Sequence, residues 1–117
     1  MKLIAYLFPK KVKPDWVNYP AELNELINSG QTDLTPWRLL DKELSVSISA
    51  SLKKRYNRQL FPFAMRKNND DVACFEKNCG DKVKIIHDFS SKGWENEGEF
   101  PNFNDWLAEV KNEMRDW

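Results

Sequence analysis

The sequence of 117 residues has little of what metal-dependent, disulfide-stabilised or nucleotide-binding proteins need. Its two cysteines and single histidine are too few for a four-ligand zinc site, and they do not resemble a disulfide framework. Its four glycines stand apart, at positions 30, 80, 93 and 98, so no glycine-rich loop is present to bind a phosphate. The composition therefore predicts neither a metal nor another cofactor.

The chain also lacks an apolar run near the roughly 20 residues that a transmembrane helix requires. The longest run near the amino terminus, residues 3–8, is too short for the apolar region of a signal peptide. Eighteen basic and eighteen acidic residues leave no net charge, which gives no overall preference for nucleic acid or an anionic membrane. We expect a cytoplasmic protein that does not bind membranes.

Apolar and aromatic residues, in contrast, are plentiful. Hydrophobic residues make up 41% of the chain and aromatic residues 13%, which is enough for one core. We therefore expect residues 1–117 to form a single domain.

Charge is uneven along the chain. Residues 44–69 contain six basic residues and no acidic residue, whereas residues 88–105 contain five acidic residues and one lysine. Two interpretations stay open: oppositely charged poles of the surface, or ordinary solvated faces.

The amino-terminal half predicts helices. Pro20 suits a first helical turn, three apolar residues at 23, 26 and 27 share one face, and Gly30 ends the segment. Residues 31–36 are predicted as a loop. Residues 44–52 fit both the two-residue period of a strand and a four-residue helical repeat, but the cations at 53–55 suit the end of a helix, which we predict.

The carboxy-terminal half predicts three strands and a helix. Residues 59–66, 72–76 and 83–89 are short apolar segments separated by turn-rich sequences, typical of an antiparallel meander. From Phe103 to Met114, apolar residues recur at helical spacing after a capping residue at Asn102 or Asn104. The predicted fold is α+β: a small antiparallel sheet with a three-strand central meander, packed against amino-terminal helices and a carboxy-terminal amphipathic helix.

Few groups suit catalysis. His87 stands beside Asp88, but neighbouring strand residues point to opposite faces and no nucleophile accompanies them. Cys74 lies in an apolar run and is expected to be buried, and Cys79 is expected in a turn. We predict no catalytic residue and no enzyme.

Asp70 and Asp71 admit two interpretations. They can chelate a divalent cation, with Glu76 or Asp81 nearby, because hard cations favour carboxylate oxygens. Tight turns also favour aspartate, and no calcium-loop spacing is present. We therefore predict a turn without a metal.

The segment of residues 90–100 is predicted to be a long, acidic and aromatic loop. Trp94 among Glu95, Glu97 and Glu99 is typical of a protein interface, where a large ring anchors a partner and acids set its charge preference. The alternative is that Trp94 and Phe100 pack under the last helix while the glutamates keep the loop solvated.

A nucleic-acid interface is the less favoured alternative. Residues 53–67 mix cations with Tyr56, Phe61 and Phe63, as surfaces that stack on bases do. These aromatic residues alternate within an apolar strand and are expected in the core, and the sequence pI is only about 6.6.

Five short runs, in this order, precede or begin the last helix: Leu-Phe-Pro-Phe-Ala (60–64), Asn-Asp-Asp-Val-Ala-Cys-Phe (69–75), Ile-His-Asp-Phe (86–89), Gly-Trp-Glu (93–95) and Phe-Pro-Asn-Phe (100–103). Together they resemble the SUKH superfamily over residues 19–114. The resemblance implies a compact α+β domain without catalytic machinery, used in bacteria as immunity proteins that neutralise toxins, many of them nucleases. Fungal relatives are regulatory proteins, which is the alternative.

The expected function is therefore binding of a cognate protein toxin, with occlusion of a basic site on it. The candidate contact residues are Asp70, Asp71, Trp94, Glu95, Glu97 and Glu99. Asp70 and Asp71 come from the resemblance, and the three glutamates from their charge alone.

Overall fold

The computed structural model describes residues 16, 17 and 20–117. The apolar run of residues 3–8 and the first residue of the SUKH-like region, Tyr19, lie outside this description.

Six strands form one antiparallel sheet in which each strand pairs with the next along the chain. The strands are Asp33–Leu34 (β1), Trp37–Leu39 (β2), Leu60–Arg66 (β3), Asp71–Glu76 (β4), Val83–His87 (β5) and Asn96–Phe100 (β6). The helices are Ala21–Asn28 (α1), Lys42–Tyr56 (α2) and Phe103–Asp116 (α3).

The α+β class is confirmed, and the sheet has three strands besides the predicted three-strand central meander. The predicted meander corresponds to β3, β4 and β5, although β5 ends at His87 rather than at residue 89. The predicted loops at 31–36 and 90–100 contain β1 and β6. Strand β2 was not predicted either. Strands β1 and β2 escape prediction because they have only two and three residues, and β6 because it is an exposed edge strand without apolar alternation.

Helices cover both faces of the sheet. Ala73 and Phe75 of β4 belong to the core shared with α1 and α3, whereas Val72 and Cys74 belong to the core under α2. Alternate residues of one strand therefore face different helices. This explains why the central strands are continuous apolar runs.

Helix α2 shows why residues 44–52 were ambiguous. The serines that mimic strand alternation bind the neighbouring strand: Ser45 Oγ donates to the Pro62 carbonyl at 2.5 Å, and Ser49 Oγ to that of Leu60 at 2.6 Å. The Asp41 side chain caps the helix by accepting the Leu44 N–H at 2.9 Å. The helix prediction is confirmed.

Helices α1 and α3 also match the sequence patterns. Gly30 follows α1 with φ of +77°, a conformation that glycine adopts without strain. The Asn102 side chain accepts the Asp105 N–H at 2.8 Å and caps α3. The apolar stripe of α3 is buried from Phe103 to Val110. Among the described residues, no helix is both long and apolar enough to cross a membrane.

Candidate functional site

The candidate site is one end of the sheet, here called the loop end, which consists of the β3–β4 turn (residues 67–70), the β5–β6 connection (residues 88–95) and the adjoining strand residues. Strand pairing brings these segments together, because Asp71 faces His87 and the His87 N–H donates to the Glu95 carbonyl at 2.7 Å. The Asp88 N–H donates to the Asp70 carbonyl at 3.1 Å. Five of the six predicted contact residues therefore meet here.

The sixth, Glu99, lies further along β6 and is engaged elsewhere. Its carboxylate accepts a hydrogen bond from the Lys84 ammonium at 2.7 Å and lies 3.4 Å from the Lys82 ammonium. These cations lower the pKa of Glu99, the hydrogen bond from Lys84 most of all. Glu99 is thus on the same edge strand but outside the loop end.

Two aromatic side chains project from the loop end. Trp94 is 80% exposed, so the alternative in which it packs under α3 is wrong for this residue. Phe100 does pack against the core beside α3. The second projecting side chain is Phe89, which was predicted within a strand but is 70% exposed with φ of +66°, beyond the end of β5.

Glu95 is not the solvated acid that its charge suggested. It is 5% exposed, and its carboxylate accepts the Gly93 N–H at 2.7 Å and the Arg58 guanidinium at 3.1 Å. Burial favours the protonated form, but the backbone N–H groups and Arg58 outweigh it, so the pKa of Glu95 is lowered. Glu95 therefore fixes the backbone beside Trp94 instead of facing a partner.

Arg58, just after α2, is the centre of this arrangement. Its guanidinium forms two hydrogen bonds to Glu76, at 2.8 and 2.9 Å, and one to the Asn96 side chain at 2.7 Å. The pairing lowers the pKa of Glu76 and raises that of Arg58. We call Arg58, Glu76 and Glu95 the arginine network; it joins α2, β4 and the β5–β6 connection.

Stability is expected to depend on pH through the arginine network. Glu76 and Glu95 have lower pKa values in the folded chain than the ordinary 4.5, so their contribution is complete above that value and is lost as the pH falls through their folded pKa. Urea unfolding between neutral and strongly acidic pH measures this loss. Glu76→Gln should flatten the acid limb of the profile, and an unchanged profile would contradict the assignment.

His87 pairs with Asp71, not with its neighbour Asp88. The Nδ1 atom lies 2.7 Å from Asp71 Oδ1, and this hydrogen bond raises the pKa of His87. Glu97 offers a third group: one ligating atom from each of Asp71, His87 and Glu97 lies within 4.8 Å of the other two.

Asp88 links the loop end to helix α2. Its Oδ1 accepts from Arg55 Nη2 at 2.5 Å and from the Phe89 N–H at 2.9 Å. The Arg55 guanidinium lies 4.4 Å from the centroid of the Phe89 ring, a cation–π contact. Phe89 is therefore exposed but held in place.

The oppositely charged segments do not form separate poles. Arg55 and Arg58 of the basic segment bind Asp88 and Glu95 of the acidic one. Arg66 binds Glu113 at 2.9 Å, and Lys67 binds Asp33 at 2.6 Å. Four of the six cations thus pair with acids. The basic stretch is consequently not a free cationic surface.

A groove of about 310 Å³ runs between α3 and β6 beside the loop end. Its acidic lining residues are Asp71, Glu97, Glu99, Glu109 and Glu113, and Arg66 is the cation among its lining residues. Another cavity, of about 410 Å³, lies at the opposite end of the sheet near Gly80 and Phe103 and shares none of these residues.

Comparison of the chain with known proteins found no matching family model, no matching curated protein and no matching solved structure.

Proposed function

We propose that this protein is a SUKH-like immunity protein: a non-catalytic binding protein that neutralises a bacterial protein toxin by covering a basic site on it. The observation that supports the proposal most strongly is the exposure of Trp94 on a fixed backbone. This side chain is 80% exposed, while the residue that follows it is buried and bound to Arg58.

An exposed tryptophan on an ordered segment suits protein recognition. Exposure of so large an apolar ring to water is unfavourable unless a partner covers it. Tryptophan is among the residues that contribute most to binding energy at interfaces. Since Glu95 already fixes the local backbone, little conformational entropy remains to be lost on binding. Phe89 is a second exposed aromatic side chain of the loop end.

The exposed acids of the loop end favour a basic partner. Asp70 and Glu97 are exposed, and the groove between α3 and β6 adds further carboxylates. A toxin surface that binds nucleic acid is rich in lysine and arginine. An acidic, aromatic surface placed over it excludes the nucleic acid by occupying the same cations. Glu95 has no part in this contact, because its carboxylate is buried and bound to Arg58.

The two alternatives use different surfaces or partners. A regulatory interaction module without a toxin partner can use the same loop end. A nucleic-acid-binding protein needs residues 53–67, but Tyr56, Phe61 and Phe63 are buried there and most of the cations are paired. Submicromolar RNA or DNA affinity at physiological salt, falling steeply as salt rises, would favour this last alternative.

Co-expression with a toxin domain tests the proposal. The probe is the protein domain encoded immediately upstream of this gene, produced in a bacterial host that it kills. We expect the wild-type protein to restore growth, and the purified pair to form a complex with nanomolar or lower Kd. Continued killing by the toxin in the presence of excess protein would contradict the proposal, as would metal-dependent turnover by this protein that is lost on replacing Asp70 or His87.

Glu97→Gln is expected to slow association with the toxin domain without changing the melting temperature. The substitution keeps the size of an exposed side chain and removes one charge from the loop end. The association rate should fall at low salt, and the difference should vanish as salt screens the field. Stopped-flow mixing at several salt concentrations measures it, with Glu43→Gln on α2 as the control. Equal association rates for both variants would show that Glu97 is not part of the contact with the toxin domain.

A further inference from the structure

We propose that Asp71, His87 and Glu97 form a binding site for one divalent transition-metal ion of the Zn²⁺ class. This inference does not depend on the proposed function. It goes against the expectation from composition, which considered only sites made from four cysteines and histidines or from carboxylates near in sequence.

The three residues come from three neighbouring strands. Asp71 begins β4, His87 ends β5, and Glu97 lies near the start of β6. Asp71 and His87 are direct partners in the β4–β5 register. Antiparallel pairing thus places three potential ligands at one point of the sheet, although Asp71 and Glu97 lie 26 positions apart in the sequence.

A β-bulge places Glu97. Ile85 pairs with Gly98 and Ile86 with Asn96, so Glu97 is the additional residue on β6. Bulges of this kind redirect a side chain and recur beside functional sites. The result is a carboxylate within 4.8 Å of the His87–Asp71 pair. In the described part of the chain, Glu97 has no ion-pair partner of its own.

The separations suit a small ion after a minor adjustment. Zn²⁺ binds imidazole nitrogen and carboxylate oxygen at about 2.0–2.2 Å, which puts tetrahedral ligand atoms about 3.4 Å apart. The distance from His87 Nδ1 to Asp71 Oδ1 is 2.7 Å, which is shorter than this tetrahedral spacing. The ligating atoms of all three residues lie within 4.8 Å of one another, which allows separations longer than the tetrahedral spacing. Because Glu97 is exposed, its side chain can close the remaining distance by rotation.

The donor set selects the class of metal. One imidazole with two carboxylates suits Zn²⁺ and its neighbours, whereas Ca²⁺ and Mg²⁺ prefer sites made of oxygen alone. Three protein ligands leave one coordination position open to water. Binding replaces the Nδ1 proton of His87, which passes to solvent, so the two carboxylates then balance the charge of the ion.

The test exploits the single histidine of the chain. Protein labelled with ¹⁵N and prepared without a histidine tag gives imidazole NMR signals from His87 alone. Zn²⁺ is titrated at about pH 8, where imidazole is mainly neutral, in a Cys79→Ser background that removes the more accessible thiol. We expect the His87 signals to move and saturate at one equivalent. Calorimetry should give a Kd in the micromolar range.

Matched variants locate the site. His87→Gln and Glu97→Gln should each weaken Zn²⁺ binding by at least about tenfold, because each removes one of three ligands. Glu99→Gln, on the same strand but bound to Lys84, should leave it unchanged. Unmoved His87 signals at millimolar Zn²⁺ would overturn the proposal, and so would equal affinity of wild type and Glu97→Gln. Glu97 is exposed, so this variant keeps the test valid even if His87→Gln fails to fold.

Discussion

Replacing Arg58 with leucine is expected to lower the free energy of unfolding by about 3 kcal/mol. The substitution removes the cation of the arginine network and leaves the Glu95 carboxylate buried without a charged partner. The expected loss lies near the lower end of the range for breaking a buried ion pair, because the Arg58 and Glu76 side chains are still 17% and 16% exposed to water. Urea unfolding at neutral pH measures it.

Two comparisons separate this explanation from a general loss of packing. Lys67→Met removes an exposed ion pair with Asp33 and should leave the free energy of unfolding almost unchanged, because water screens this pair. The deficit of Arg58→Leu should shrink at acidic pH, because protonation removes the uncompensated charge of Glu95 in the variant and the ion pairs in the wild type. A deficit equal at neutral and acidic pH would show that the effect is not electrostatic.

Trp94→Ala is expected to weaken toxin binding by about 2 kcal/mol or more, roughly 30-fold in Kd, with the free energy of unfolding unchanged. The binding loss follows from removing a large apolar contact. The unchanged stability follows from the 80% exposure of this side chain, since water surrounds most of it in the free protein. Calorimetric titration with the toxin domain and urea unfolding of the same preparation measure the two quantities.

Val46→Ala is the control. Val46 is also an exposed apolar residue, at 45%, but it lies on α2, outside the loop end. Its removal should change neither affinity nor stability appreciably. If both variants bind the toxin domain like the wild type, Trp94 is not the anchor. If Trp94→Ala loses about 3–5 kcal/mol of stability, its side chain belongs to the core.

Local patterns predicted the parts of the fold in which one segment determines its own structure. The apolar spacing from Phe103 to Val110 predicts α3, and the cations at 53–55 correctly favoured a helix over a strand for the segment before them. Strand β6 could not be found this way. It forms because the edge of β5 supplies hydrogen bonds to an otherwise polar segment, and such pairing leaves no periodicity in the sequence of β6 itself.

The candidate site was only partly predictable for the same reason. Segment charge and one tryptophan led to the loop end, but the role of Glu95 depends on Arg58, which is 37 positions earlier in the chain. A charge sum cannot tell a buried, paired carboxylate from a solvated one. The approach of His87 to Asp71 depends on strand register, whereas the sequence alone points only to the adjacent Asp88 as its partner.

Backbone hydrogen exchange of the protein, free and bound to the toxin domain, tests the central claim most directly: the loop end is the surface that binds the partner. We predict that binding slows exchange of the amides in residues 88–97 and in the β3–β4 turn. Amides of α2 should exchange at the same rate in both states. Slowed exchange confined to α2 and residues 53–67, with residues 88–97 unaffected, would contradict the claim and place the partner on the basic segment instead.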